Sequence, residues 1–183
     1  MPKEVFMLDV VSIRLVKDTP ILSDQKITTP NAAVDVVGRI LSEMDREVVC
    51  VVNLKSDSTP INCHFASMGA INQAITHPRE LFKSAILSNA ANIILVHNHP
   101  SGNLFPSKED IRLTDRMIQL TELMGIPLLD HVIVGGDNHQ FFSMKEKGMM
   151  QNPVMAFTSD YHALDFGIAT KVAEEKEIKR KGR

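Results

Sequence analysis

Apolar residues along this chain follow two rhythms, and the alternation between them predicts most of its elements. Val48 to Val52, Ile93 to Val96 and Leu128 to Val134 are short runs rich in branched side chains with little alternation, the pattern of strands buried on both faces. Weaker strand signals cover residues 61 to 67 and Gln140 to Met144, and partial alternation over Val5 to Val16 suits an edge strand. Helical spacing appears over Pro30 to Met44 and again over Thr76 to Asn89, where Leu81, Phe82, Ala85 and Ile86 form the face expected to be buried. A third helix opens at Pro106-Ser107-Lys108-Glu109-Asp110 and carries Ile111, Leu113, Met117, Ile118 and Leu120 through Met124. Gly125 is placed to stop it. There is no internal repeat.

The chemistry concentrates where the run Ile93 to Val96 ends, in H-N-H-P-S-G-N-L-F-P-S-K-E-D. Strand side chains repeat every two residues, so His97 and His99 point to the same side and can share an ion. Pro100-Ser101-Gly102 turns the chain, and Asp110 then falls in the first turn of the following helix, able to face back toward the strand end. Two imidazoles and a carboxylate leave a fourth zinc position for water, as in catalytic rather than structural sites. A zinc-bound water has a pKa near 7 instead of about 15.7, and the ion can polarise a carbonyl. Each part also has a plainer reading. An H-x-H pair can be merely exposed or hydrogen-bonded, Ser107 with Asp110 is equally an S-x-x-D capping box, and Asp110 alone favours a positive helix terminus. Their order along the chain, strand, paired imidazoles, turn, then helix-start carboxylate, favours metal for the full set.

H-x-H followed by seven residues and S-x-x-D resembles the signature of the JAMM (JAB/MPN-plus) metallopeptidase family. The stretches T-H-P-R-E-L-F at 76 to 82, A-I-L-S-N-A-A-N-I-I-L-V-H-N-H-P-S-G at 85 to 102 and G-I-P-L-L-D-H-V-I-V-G-G at 125 to 136 resemble its bacterial RadC-like branch, with similarity from about Thr29 to Met150. The resemblance implies a JAB/MPN domain of α/β class, a cytidine-deaminase-like mixed β-sheet flanked by helices, with one zinc per chain on His97, His99 and Asp110. It further implies that Glu47, in M-D-R-E-V-V-C-V-V-N-L, is the general base and that Ser107 helps stabilise an oxyanion. Read without the family, a Glu beside an Arg at a helix exit is a solvated charge. The implied reaction is hydrolysis of a peptide or isopeptide bond, with metal-activated water attacking the carbonyl and Glu47 passing its proton to the departing amine. The alternative is a non-catalytic JAB/MPN binding module associated with DNA metabolism. Full-length RadC-like proteins usually begin with a helix-hairpin-helix segment, which this short form is expected to lack; that weakens a direct DNA-binding role.

Composition narrows the remaining choices. At 183 residues, 44% of them hydrophobic, the chain suits one domain with appendages, and a net charge of −2 argues against a generally basic nucleic-acid surface. No run of 18 apolar residues exists and Met1-Pro2-Lys3-Glu4 opens no signal peptide, so a cytoplasmic location without a membrane partner is expected. Cys50 and Cys63 fall in strands expected to pair as a hairpin around Lys55 to Pro60, as thiols rather than a disulfide. Zinc deaminases use H-x-E with P-C-x-x-C, which is missing, and a barrel amidohydrolase needs about 250 residues.

The expected organisation is an N-terminal extended segment packing on the domain (1–28), the JAB/MPN domain (29–150) and a C-terminal extension (151–183). Its last thirteen residues, Lys171 to Arg183, carry nine charges and read as a solvated tail, with a short helix expected over Val172 to Lys179. The substrate is an unspecified peptide or protein; a homodimer and contact with nucleic acid stay open. Of the other histidines, His64, His77 and His139 are expected to be exposed or locally hydrogen-bonded and His162 lies beyond the domain. His131, inside an apolar strand, is expected to be a satisfied core residue that could orient a site residue.

Overall fold

The computed structural model describes residues 10–68, 77–135 and 140–150. Thr29 caps an irregular helix, its hydroxyl accepting from Ala32 N at 3.2 Å, and Pro30 supplies the preset first turn. The helix runs through α1 (Pro30–Ala33), a π-helical segment (Val34–Gly38) and α2 (Arg39–Ser42). Then follow β1 (Val48–Leu54), β2 (Pro60–Met68), α3 (Pro78–Leu87), β3 (Asn92–Asn98), α4 (Lys108–Met124), β4 (Leu128–Val134) and β5 (Phe141–Ser143).

The strands form one sheet in the order β2-β1-β3-β4-β5. Only β3 and β4 run parallel, which requires a crossover, and α4 supplies it. The hairpin of β1 and β2 sets Val52 against Cys63 and Cys50 against Phe65, and both cysteines are free thiols. Alternation then sorts the core into two layers. Val48, Cys50, Val52, Leu54, Ile94, Val96, Val132 and Val134 pack with Val37 and Leu41 of the irregular helix. Val49, Val51, Ile93 and Leu95 pack on the other face with Leu81, Phe82 and Ala85 of α3 and Met117 of α4. Helices on both faces explain why every residue of β1 is buried and why its sequence shows no alternation.

Asp130 ties the last two strands together. Its carboxylate, buried at 4% exposure, accepts from His131 N (2.7 Å), Ser143 Oγ (2.6 Å) and Lys145 N (3.1 Å). Gly125 closes α4 at φ 65°, the left-handed conformation that favours glycine.

Two expectations need correction. Residues 10–16 form no strand, and Val10, Val11, Ile13 and Val16 are exposed; alternation alone does not make a strand where no edge accepts it, and residues 1–9 lie outside the described part. Ile86 is 49% exposed, because it falls just beyond the α3 stripe that Leu81, Phe82 and Ala85 present to the sheet. His139, His162, the helix expected over Val172 to Lys179 and the rest of the extension from residue 151 also lie outside the described residues. Among the described residues, no helix is long and apolar enough to cross a membrane.

Candidate metal centre

The alternation that sorts the core also builds the site. His97 and His99 continue the series of Ile93 and Leu95, so they emerge on the face covered by α3 and α4, and both are buried. Ser107 caps α4: its hydroxyl accepts from Asp110 N (3.1 Å), while its backbone N–H donates to Asp110 Oδ2 (2.7 Å). This reciprocal box fixes the Asp110 carboxylate over the strand end. Nε2 of His97 lies 2.9 Å from Nε2 of His99 and 3.3 Å from Asp110 Oδ1; His99 Nε2 lies 3.4 Å from Asp110 Oδ2.

Hydrogen-bond polarity shows what those atoms present. His99 Nδ1 meets the Asn103 carbonyl at 2.5 Å, and a carbonyl only accepts, so Nδ1 carries the proton. For His97 the constraint arrives through a chain. The Thr114 hydroxyl faces two acceptors, the Asp110 carbonyl (2.7 Å) and Met144 Sδ (3.1 Å), so its single proton is committed whichever it chooses. With that proton on the Asp110 carbonyl, the oxygen accepts from His131 Nδ1, 2.6 Å away. His131 Nε2 then has only a lone pair, which accepts from His97 Nδ1 at 2.8 Å. In that arrangement both histidines turn bare Nε2 atoms toward each other and toward a carboxylate. Electron pairs so placed repel unless a cation or a proton lies between them. Donors on a tetrahedral zinc with bonds of about 2.1 Å stand about 3.4 Å apart; each imidazole lies near that distance from one of the two carboxylate oxygens, and the two Nε2 atoms, 2.9 Å apart, would separate slightly to admit the ion. His97, His99 and Asp110 could thus hold a metal ion.

Without an ion, the same proximity favours a proton between the imidazoles and the carboxylate. Burial resists ionisation of Asp110, but hydrogen bonding with His97 and His99 outweighs it and holds the carboxyl well below the usual range. Burial also works against a charge on His99, yet Asp110, the Asn103 carbonyl and the charge of Glu47 together raise its pKa. Burial keeps the His131 imidazole neutral to well below the ordinary histidine value, with the neighbouring His97 adding to the effect.

Glu47 is half-buried and immediately precedes β1. Antiparallel pairing sets Val49 against His97; continued by two residues it sets Glu47 across from His99, on the same face as both imidazoles. Ser107 is exposed and its hydroxyl donates to Asp110 Oδ2 at 2.7 Å, so its proton is engaged in the cap. His77 caps α3 by accepting from Arg79 N, and His64 is exposed. Two residues of the site escaped sequence reasoning. Thr114 betrays itself only by its spacing, four residues after Asp110, where a threonine hydroxyl reaches back to a helix carbonyl. Asn98 is a buried amide between the two histidines, and the polar letter inside a buried strand is its signal.

A five-stranded mixed sheet between helices, carrying two histidines at a strand end and an aspartate at the next helix start, is consistent with a JAB/MPN domain. The chain belongs to the RadC-like JAB domain family, whose match spans residues 27–149. It is 40% identical over 128 residues to a UPF0758 protein of Clostridium beijerinckii, covering 70% of this chain and 55% of that one. Similar UPF0758 proteins occur in Desulforamulus reducens (43% over 124 residues; 68% and 54% of the two chains) and Salinibacter ruber (40% over 125; 68% and 53%). The chain spans about half the length of the curated relatives it matches.

Proposed function

We propose that this chain is a zinc-dependent hydrolase of peptide or isopeptide bonds. The observation that carries the reading is the convergence of His97 Nε2, His99 Nε2 and the Asp110 carboxylate, the two nitrogens 2.9 Å apart and each 3.3–3.4 Å from a carboxylate oxygen. His97, His99 and Asp110 would hold the zinc, which when bound activates a water and polarises a carbonyl. Glu47, on the same face as the histidines, takes the proton from the attacking water and delivers it to the departing amine nitrogen. Ser107 steadies the developing oxyanion after its O–H rotates away from Asp110, while its backbone N–H keeps the carboxylate in place.

The test is metal analysis joined to a substrate screen. Purified protein is expected to hold about one zinc per chain, with His97→Ala and Asp110→Ala losing it and Glu47→Gln keeping it. Glu47→Gln should abolish cleavage of peptide and isopeptide-linked substrates. Undiminished cleavage by Glu47→Gln overturns its role as base. A chain that loads zinc, cleaves nothing and retains the same protein or DNA partner with either residue at 47 is a binding module instead.

A further inference from the structure

We propose that Asn98, the residue between the two histidines, is a positioning residue that holds Glu47 at the site. The proposal rests on the reading of Glu47 as the group that moves the proton.

Because strand side chains alternate, Asn98 points away from His97 and His99, through the sheet to the face of the irregular helix. There it is 1% exposed. Its Oδ1 accepts from Val48 N at 2.8 Å, and its Nδ2 donates to the Arg46 carbonyl at 3.0 Å and approaches the Met44 carbonyl at 3.5 Å. The amide cannot be turned over, since Val48 N–H only donates and the two carbonyls only accept. One side chain therefore grips the main chain on both sides of Glu47, residue by residue.

The grip sits where pairing with β3 ends, Val48 being held on its other side by Met68 of β2. The segment from Glu43 to Glu47 has left α2 and has not yet entered β1, and Val48 is the first residue of its strand. Among the described residues, the side chains of Arg46 and Asp45 pair only with each other, in solvent. Ordinary pairing with β3 begins at Val49 and His97. Asn98 supplies the bonds that backbone pairing omits, and the strand that carries both imidazoles thereby also sets the height of the glutamate opposite them. Alternation explains the division of labour: two residues face the ion, and the one between them faces the segment bearing the base.

Hydrogen exchange and a two-residue cycle test this on the whole chain. Asn98→Leu should keep about one zinc per chain while exchange over Met44 to Val48 accelerates about tenfold and that of β4 stays unchanged. If the leucine variant does not fold, Asn98→Asp serves, since it keeps an acceptor for Val48 N–H but sets a carboxylate against the Arg46 carbonyl; faster exchange is again expected. For function the probe is Co2+ in place of zinc, followed by the pH midpoint of its visible absorption. Asn98→Leu should move that midpoint in the same direction as Glu47→Gln, and should move it no further when Glu47→Gln is already present. Equal shifts in both backgrounds, or unchanged exchange over Met44 to Val48, overturn the proposal. If Glu47→Gln shifts neither midpoint nor cleavage, it is the general-base reading that fails, and the exchange measurement alone then decides whether Asn98 anchors the segment.

Discussion

His131 Nε2 accepts a hydrogen bond from His97 Nδ1 at 2.8 Å, and His131 is wholly buried. With the Thr114 hydroxyl donating to the Asp110 carbonyl, its oxygen accepts from His131 Nδ1, and that order sets the tautomer of both imidazoles. A hydroxyl two side chains removed from the candidate metal position thus sets which nitrogen of His97 is bare.

Thr114→Val removes that acceptor while nearly preserving volume. His131 Nδ1–H then lacks a partner, and a tautomer change would bring Nε2–H against the proton of His97. Zinc affinity measured by chelator competition should fall about tenfold or more, although no ligand has been touched. An affinity within about twofold of the parent would disprove the chain of constraint.

The metal-free chain should be most stable near pH 6.5 within the window from pH 5 to 8. His131 has a folded pKa below its unfolded value of about 6.5, so below that pH the unfolded chain gains a proton that the fold refuses, and stability falls with falling pH. His99 is shifted the other way. Its contribution is complete below about pH 6.5 and is lost as pH rises through its raised folded pKa. Urea midpoints of chelator-treated protein at pH 5, 6.5 and 8 should trace this maximum, and saturating zinc should flatten the alkaline side because it requires neutral His99. A monotonic rise toward pH 5 would contradict it.

Ser107 carries two roles that substitution can separate. Ser107→Ala removes the cap and should destabilise the chain by about 1 kcal/mol, lowering its melting temperature by a few degrees, whereas Ser107→Gly should cost only a few tenths. Both should retain zinc, since the backbone N–H still holds Asp110 Oδ2. If the glycine variant also cleaves substrate at the parental rate, Ser107 is a cap and nothing more.

Sequence reasoning reached the parts of this molecule that depend on local periodicity. Both faces of β1 and β3 are buried, and their unbroken apolar letters announced it. The S-x-x-D spacing permitted both a cap and a metal ligand, and Asp110 turns out to take part in the capping box while standing beside His97 and His99. What could not be read was set by contacts across the sheet. His131 meets His97 from a neighbouring strand 34 residues away, and Asn98 meets Val48 across 50. No spacing rule links such pairs, because strand order decides them. Residues 10–16 misled for the converse reason: a strand needs a partner, and alternation does not provide one.

The reciprocal box at the start of α4 has a thermodynamic consequence. Asp110 is immobilised by its own helix terminus, and both imidazoles by acceptor groups of the fold, so the pocket is assembled before any ion arrives. Zinc should therefore enter and leave a domain that stays folded, adding to stability only through mass action, as the logarithm of its free concentration over its dissociation constant. That separates this centre from the zinc finger, where withdrawing the ion dissolves the structure.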